Sequence, residues 1–118
     1  MSKLIENLIT IQQQMRVFHW QTHSFAQHEA FGSAYESLDK LVDNFVEVYL
    51  GKSQSRITAN SLNITLSVNV EPIEFLSNCI EYFNQFNTVF EESDSDLLNI
   101  RDEMLAVINK LKYLLTLK

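Results

Sequence analysis

The sequence predicts an all-α single domain of four long helices, on three observations. Apolar residues make up 46% of the 118 residues, enough to fill one core and too many for a disordered chain. Only two Gly and one Pro occur, which suits a few long helices and argues against a turn-rich β fold. Along four separate stretches, apolar side chains recur at alternating steps of three and four, the spacing that lines up one face of a helix.

The first stretch carries Leu4, Leu8, Ile11, Met15, Phe18 and Thr22 on one face, with Ser2 placed to cap it, and predicts a helix over 3–23. Ser24 and Gln27 have the spacing of a capping box, in which each side chain meets a backbone N–H left free at the helix start. A second helix over 25–50 follows at once, burying Phe31, Ala34, Leu38, Leu41, Phe45 and Tyr49, and Gly51 is placed to end it. Pro72 suits the first turn of a third helix over 72–92, where its missing N–H is not needed. Leu76, Cys79, Ile80, Phe83, Phe86 and Phe90 form its stripe. Ser93 and Asp96 read as the N-cap pair of a last helix over 94–116, which carries Leu97, Ile100, Met104, Val107, Leu111 and Leu114 inward.

The links set the topology. Those between the first two and the last two helices are a few residues long, so each pair must be an antiparallel hairpin, whereas the middle link, 52–71, is far longer. Two short hairpins joined by one long crossover between helices 2 and 3 make a ferritin-like four-helix bundle, spanning residues 1–118. Within the crossover, Leu62, Ile64, Leu66, Val68 and Val70 alternate with polar residues. That period of two predicts an extended segment with one buried face, lying across the bundle or pairing with a neighbouring chain.

Charge and cysteine usage exclude several classes. Nine basic residues stand against fifteen acidic ones, for a net charge of −6, which argues against nucleic-acid binding. No apolar run approaches the roughly 20 residues that span a bilayer, so no membrane role is expected. Glu6 falls where a signal peptide would need its apolar run, and Cys79 has no partner for a disulfide, so the expected compartment is the cytoplasm. Cys79 sits at an apolar helical position and reads as a buried structural thiol. The chain contains no Ser-His-Asp elbow, Gly-rich phosphate loop or Cys-x-x-Cys pair.

The chemistry-bearing residues gather around the first two helices. His19, His23 and His28 fall at the first hairpin, and the second helix carries Glu36, Asp39, Asp43 and Glu47. Imidazole and carboxylate together form the ligand set of iron, zinc or manganese. His28 and Asp43 stand roughly 22 Å apart on one helix at about 1.5 Å per residue, so one chain cannot bring both to one ion. Asp43 and Glu47 are one turn apart and can share one. Two copies of the second helix packed antiparallel about a two-fold axis near Tyr35 or Glu36 would carry His28 of one chain to Asp43 and Glu47 of the other. His19 lies on the flank of the first helix's apolar stripe and Trp20 nearly opposite that stripe, which marks an interface or else a partly exposed Trp in a monomer. His23 alone reads as a surface residue.

Phe18-His19-Trp20, then Ser24-Phe25-Ala26-Gln27-His28-Glu29, then Asp43-Asn44-Phe45-Val46-Glu47 together resemble the signature of Dps-type miniferritins. The resemblance implies ferroxidase sites between two-fold-related subunits, with His19, His28, Asp43 and Glu47 as metal ligands, iron as the metal, and a homodimer or higher oligomer as the working form. The chain also resembles small ferritin-like bacteriophage proteins, in which His-Trp-Gln-Thr-x-Ser-Phe-Ala-x-His is followed by Tyr-x-Gly-Lys, here Tyr49-Leu50-Gly51-Lys52. It departs from the Dps pattern at Gly32, where that family has a further carboxylate, and the stretch between His19 and His28 is shorter. No Lys-rich tail precedes the first helix, so Dps-type DNA binding is not expected. The alternative expectation is a metal-free helical-bundle interaction protein with a degraded ferroxidase site.

Overall fold

The computed structural model describes residues 2–117 of the protein; residues 1 and 118 of the expected domain lie outside the described residues. All regular structure among the described residues is helical. Helix α1 spans Ser2–Gln21 and α2 spans Phe25–Ser53. After a long link come α3, Pro72–Asn84, a single turn α4, Phe86–Val89, and then a 3-10 turn, Glu92–Asp94, leading into α5, Ser95–Leu114.

One core serves all the long helices. Leu8, Met15 and Phe18 of α1 meet Phe31, Leu38 and Phe45 of α2, Leu76 and Phe83 of α3, and Met104 and Ile108 of α5, each almost wholly shielded from solvent. Side-chain contacts fix the directions. Gln12 reaches Asp39 and His19 reaches His28, so α1 and α2 run antiparallel. Asn7 meets Tyr82 and Phe18 meets Phe75, so α3 runs antiparallel to α1. Lys112 meets Ser77 and Arg101 meets Phe83, so α5 runs antiparallel to α3, and a Lys52–Asp96 contact sets α5 antiparallel to α2 as well.

Local expectations fail in four places, each for a visible reason. The expected third helix, 72–92, breaks at Gln85. There Arg101, a buried arginine of α5, donates to the Phe83 carbonyl at 2.7 Å and to Asn87 Oδ1 at 2.8 Å. The guanidinium thus takes up a carbonyl that ends α3, and the chain turns so that Phe86 and Phe90 still pack on Phe45. The second helix runs past Gly51, which is helical and open on its Cβ side, to Ser53; Gln54 provides the left-handed cap at φ 51°. The Ser24–Gln27 box forms by half. Ser24 Oγ accepts from the Gln27 N–H, but Thr22, not Ser24, donates to the Gln27 side chain. The last helix is entered through Glu91 and Asp94, which exchange side-chain-to-backbone bonds, and not through Ser93 and Asp96.

The crossover departs from a fifth expectation. It forms no strand, and Ile64, Leu66, Val68 and Val70 are exposed, so the apolar face of the alternation is not buried in this chain. The segment is docked by its backbone instead. Ser67 N–H and C=O bond both ends of the buried Gln14 amide at 2.9 and 2.8 Å, Asn63 N–H donates to Glu6, and Asn69 N–H donates to Gln21. Helix α1 presents carboxylate and amide groups on that side, so peptide groups make the contact and the apolar side chains point elsewhere. The reach agrees: four extended residues from 63 to 67 and eight helical residues from 6 to 14 each cover roughly 12–13 Å.

Candidate functional site

The tight turn at Thr22–Ser24 brings the end of α1 beside the start of α2. His19 and His28 meet there face to face, with ring centroids 3.6 Å apart and planes 18° from parallel. Each ring is tied to the other's backbone: His19 Nδ1 lies 2.6 Å from the His28 carbonyl, and His28 Nδ1 lies 2.8 Å from the His19 carbonyl. A carbonyl oxygen can only accept, so each Nδ1 carries the proton and donates. In the neutral ring the other nitrogen, Nε2, therefore keeps its lone pair. Metal-binding histidines are commonly held this way, with the far N–H donated to a carbonyl that fixes tautomer and orientation.

Gly32 makes the pair possible. A Cβ at this position would stand 3.0 Å from His19 Cε1 and 3.1 Å from its Nδ1, so the imidazole occupies the space a side chain would fill. The space beside Gly32 is thus taken up by the ring of His19 packed against bare backbone. Glycine inside a helix costs roughly 0.5–1 kcal/mol relative to alanine, and the close approach of the ring is its evident reason here.

Asp43 and Glu47 stand farther along α2, both exposed. The Glu47 carboxyl is held above its ordinary range, first by a hydrogen bond with Asp43, then by repulsion from the Asp43 charge, and least by burial. Asp43 thus stands close enough to act directly on the Glu47 carboxyl. Asp43 also borders a groove of about 280 Å³ with Gln12, Asp39, Val42, Ile57 and Leu62, the two last reaching over from the crossover. The structure joins His19 to His28 and Asp43 to Glu47, and it keeps the two pairs apart. Among the described residues, no three His, Cys, Asp or Glu side chains of one chain gather closely enough to hold a metal ion. Asp39 accepts from Gln12 at 2.6 Å, and His23 is exposed beside Phe18, Phe31 and Pro72.

A family model described as a family of unknown function (DUF5856) matches residues 19–115. The chain belongs to that family. The DUF5856 span takes in His19, His28, Asp43 and Glu47. The chain is also similar to an uncharacterised 14.6 kDa protein of the mobD–ri intergenic region of Enterobacteria phage T4, at 27% identity over 100 residues, which is 85% of this chain and 75% of that protein. No solved structure matches the chain.

Three residues important to this DUF5856 structure escape a reading of the sequence. Arg101 and Gln14 are buried polar residues within otherwise apolar faces, and that interruption of the stripe was the available signal. Arg16 lies over the Tyr35 ring at 4.0 Å and beside the Trp20 ring at 5.6 Å, and its i,i+4 spacing from Trp20 was the clue. Cys79 is buried, and burial pushes its thiol up to about 12, so it stays protonated and inert. Among the described residues, no helix is long and apolar enough to cross a membrane.

Proposed function

We propose that the protein is a ferritin-related, Dps-like subunit that works as a two-fold homodimer or higher oligomer and holds metal at sites shared between subunits. His19 and His28 supply imidazole nitrogens from one chain, and Asp43 and Glu47 supply oxygens from its partner. The observation that carries this reading is the reciprocal Nδ1–carbonyl lock, which leaves the Nε2 lone pair of each ring with no partner in the chain's own hydrogen bonds. The acid pair supports it, since two carboxylates held one turn apart without a cation repel each other. The helix order also supports it: antiparallel hairpins joined by one long link are what a ferritin-like four-helix bundle requires.

Two nitrogens and two carboxylates suit iron, and also zinc or manganese. The favoured substrate is Fe(II), and the bound ion would supply the redox step while these residues bind and orient it. A cytoplasmic location agrees with a lone buried thiol. The test is anaerobic Fe(II) titration followed by admission of air. The reading predicts two bound ions per dimer and oxidation faster than in buffer; no binding and an unchanged autoxidation rate would reject it.

A second reading has its own observation. Because the imidazoles stack on each other and His19 fills the space over Gly32, the pair also works as an interhelical lock without any metal. On that reading the protein is a metal-free helical interaction protein, and metal added at saturating concentration leaves its thermal melting unchanged.

A further inference from the structure

We infer that the outer face of the α1–α2 hairpin docks a second copy of this chain, held in register by Arg16 of each subunit against Glu36 of the other. The inference rests on the two-subunit reading above and adds the contact that aligns the subunits. Arg16 lies over Tyr35, with Cζ 4.0 Å from the ring centroid, and beside Trp20. Among the described residues, neither Arg16 nor Glu36 forms an ion pair; the pairs present involve Lys52 and Arg101. Even Lys40, one turn on from Glu36, is not bound to it.

The face is built for a buried surface. Trp20 is 69% exposed and Phe25 is 77% exposed, two large aromatics flanking one hairpin. Such rings are enriched in the buried cores of interfaces and gain little in water. Charge decides what covers them. With a net charge of −6, two copies repel in general, so they must meet where a cation of one finds an acid of the other.

Symmetry supplies that meeting. With α2 packed antiparallel on its copy about an axis between positions 35 and 36, His28 stands opposite Asp43 of the partner subunit. The same operation sets Tyr35 opposite Glu36 of the partner subunit. Since Arg16 rests on Tyr35, its guanidinium is carried to that carboxylate, and the two-fold repeats the pair. A guanidinium stacked on a ring keeps its in-plane N–H groups free to take a carboxylate by both oxygens. One register thus serves both the aromatic bed and the metal ligands.

Sedimentation equilibrium of the full chain tests this with Arg16→Glu, Glu36→Arg and the double exchange. Each single change should raise the dimer dissociation constant by at least about tenfold, and the double exchange should return it close to the wild-type value. Single variants that associate like the wild type, or a double exchange that restores nothing, would overturn the Arg16–Glu36 contact while leaving shared metal sites standing. A wild-type chain that stays monomeric when concentrated would overturn both. Should Arg16→Glu lose its helical circular dichroism, Glu36→Arg, at an exposed position, decides alone.

Discussion

His19 and His28 each donate Nδ1–H to the other's backbone carbonyl while their rings stack 3.6 Å apart. The exchange closes the α1–α2 hairpin with two hydrogen bonds and sets both rings in one tautomer. The backbone carbonyls thus fix the orientation of both rings.

Gly32 is the position on which that pair depends. Alanine inside a helix ordinarily gains about 0.5–1 kcal/mol over glycine, but here the new methyl would press on a ring that its own hydrogen bond and the His28 stack hold in place. Gly32→Ala should therefore lose about 1 kcal/mol in urea melts, a cost typical of overpacking. Gly32→Ala combined with His19→Ala should be more stable than His19→Ala alone. Additive effects would mean that the ring moves aside freely.

Arg101 should be the most sensitive polar residue in the fold. Arg101→Met keeps the buried stem and removes the bonds to Phe83 and Asn87, with an expected loss of about 2–3 kcal/mol. Hydrogen exchange should speed up around Phe86–Val89 before it does so in α1. Uniform acceleration through the chain would contradict a local role in the turn.

Lys52 ties the end of α2 to Asp94 at 3.3 Å and Asp96 at 3.0 Å. Its amine is held above the ordinary range, chiefly by the hydrogen bond to Asp96, while Asp96 is held below its own, chiefly by Lys52. The lowered acid contributes stability that is present above its ordinary value of 3.8 and is lost as pH falls through the depressed one. The raised amine contributes stability that is present below 10.5 and is lost as pH rises through the elevated value. Lys52→Met should flatten the melting temperature at both extremes; curves parallel to the wild type would show that the contact carries no linkage.

Glu47 has the opposite sign. Its carboxyl is raised by Asp43, so the folded state takes up a proton more readily than the unfolded chain, and acidification through that range relieves repulsion. Glu47→Gln should melt slightly higher than the wild type without metal, yet gain less from added Fe(II) or Zn(II). A variant that gains as much as the wild type would remove Glu47 from the site.

Much of the fold was legible, because periodic apolar faces and link lengths are properties of the chain itself. Leu8, Leu38, Leu76 and Met104 fall inward as their spacing requires. The breaks were not legible, because distant residues set them. Nothing near Gln85 announces a turn; Arg101, on the next long helix, accounts for it. The crossover misled for a related reason, since its alternation describes side chains while its docking uses peptide groups answered by Gln14. At the site, residue types and spacing gave the candidates and the limit that one chain cannot unite them. The histidine stack over Gly32 was hidden, because a missing side chain shows its purpose only once a ring is seen to fill the space.

Mixing two inactive proteins offers the sharpest test of shared sites. His28→Ala and Asp43→Ala homodimers should each fail to bind metal, since every site lacks a ligand. Unfolded together and refolded as an equal mixture, half of the dimers are mixed and carry one intact site of two, so about a quarter of wild-type binding should return. A mixture that binds no more metal than its separate components would contradict ligands pooled across two subunits.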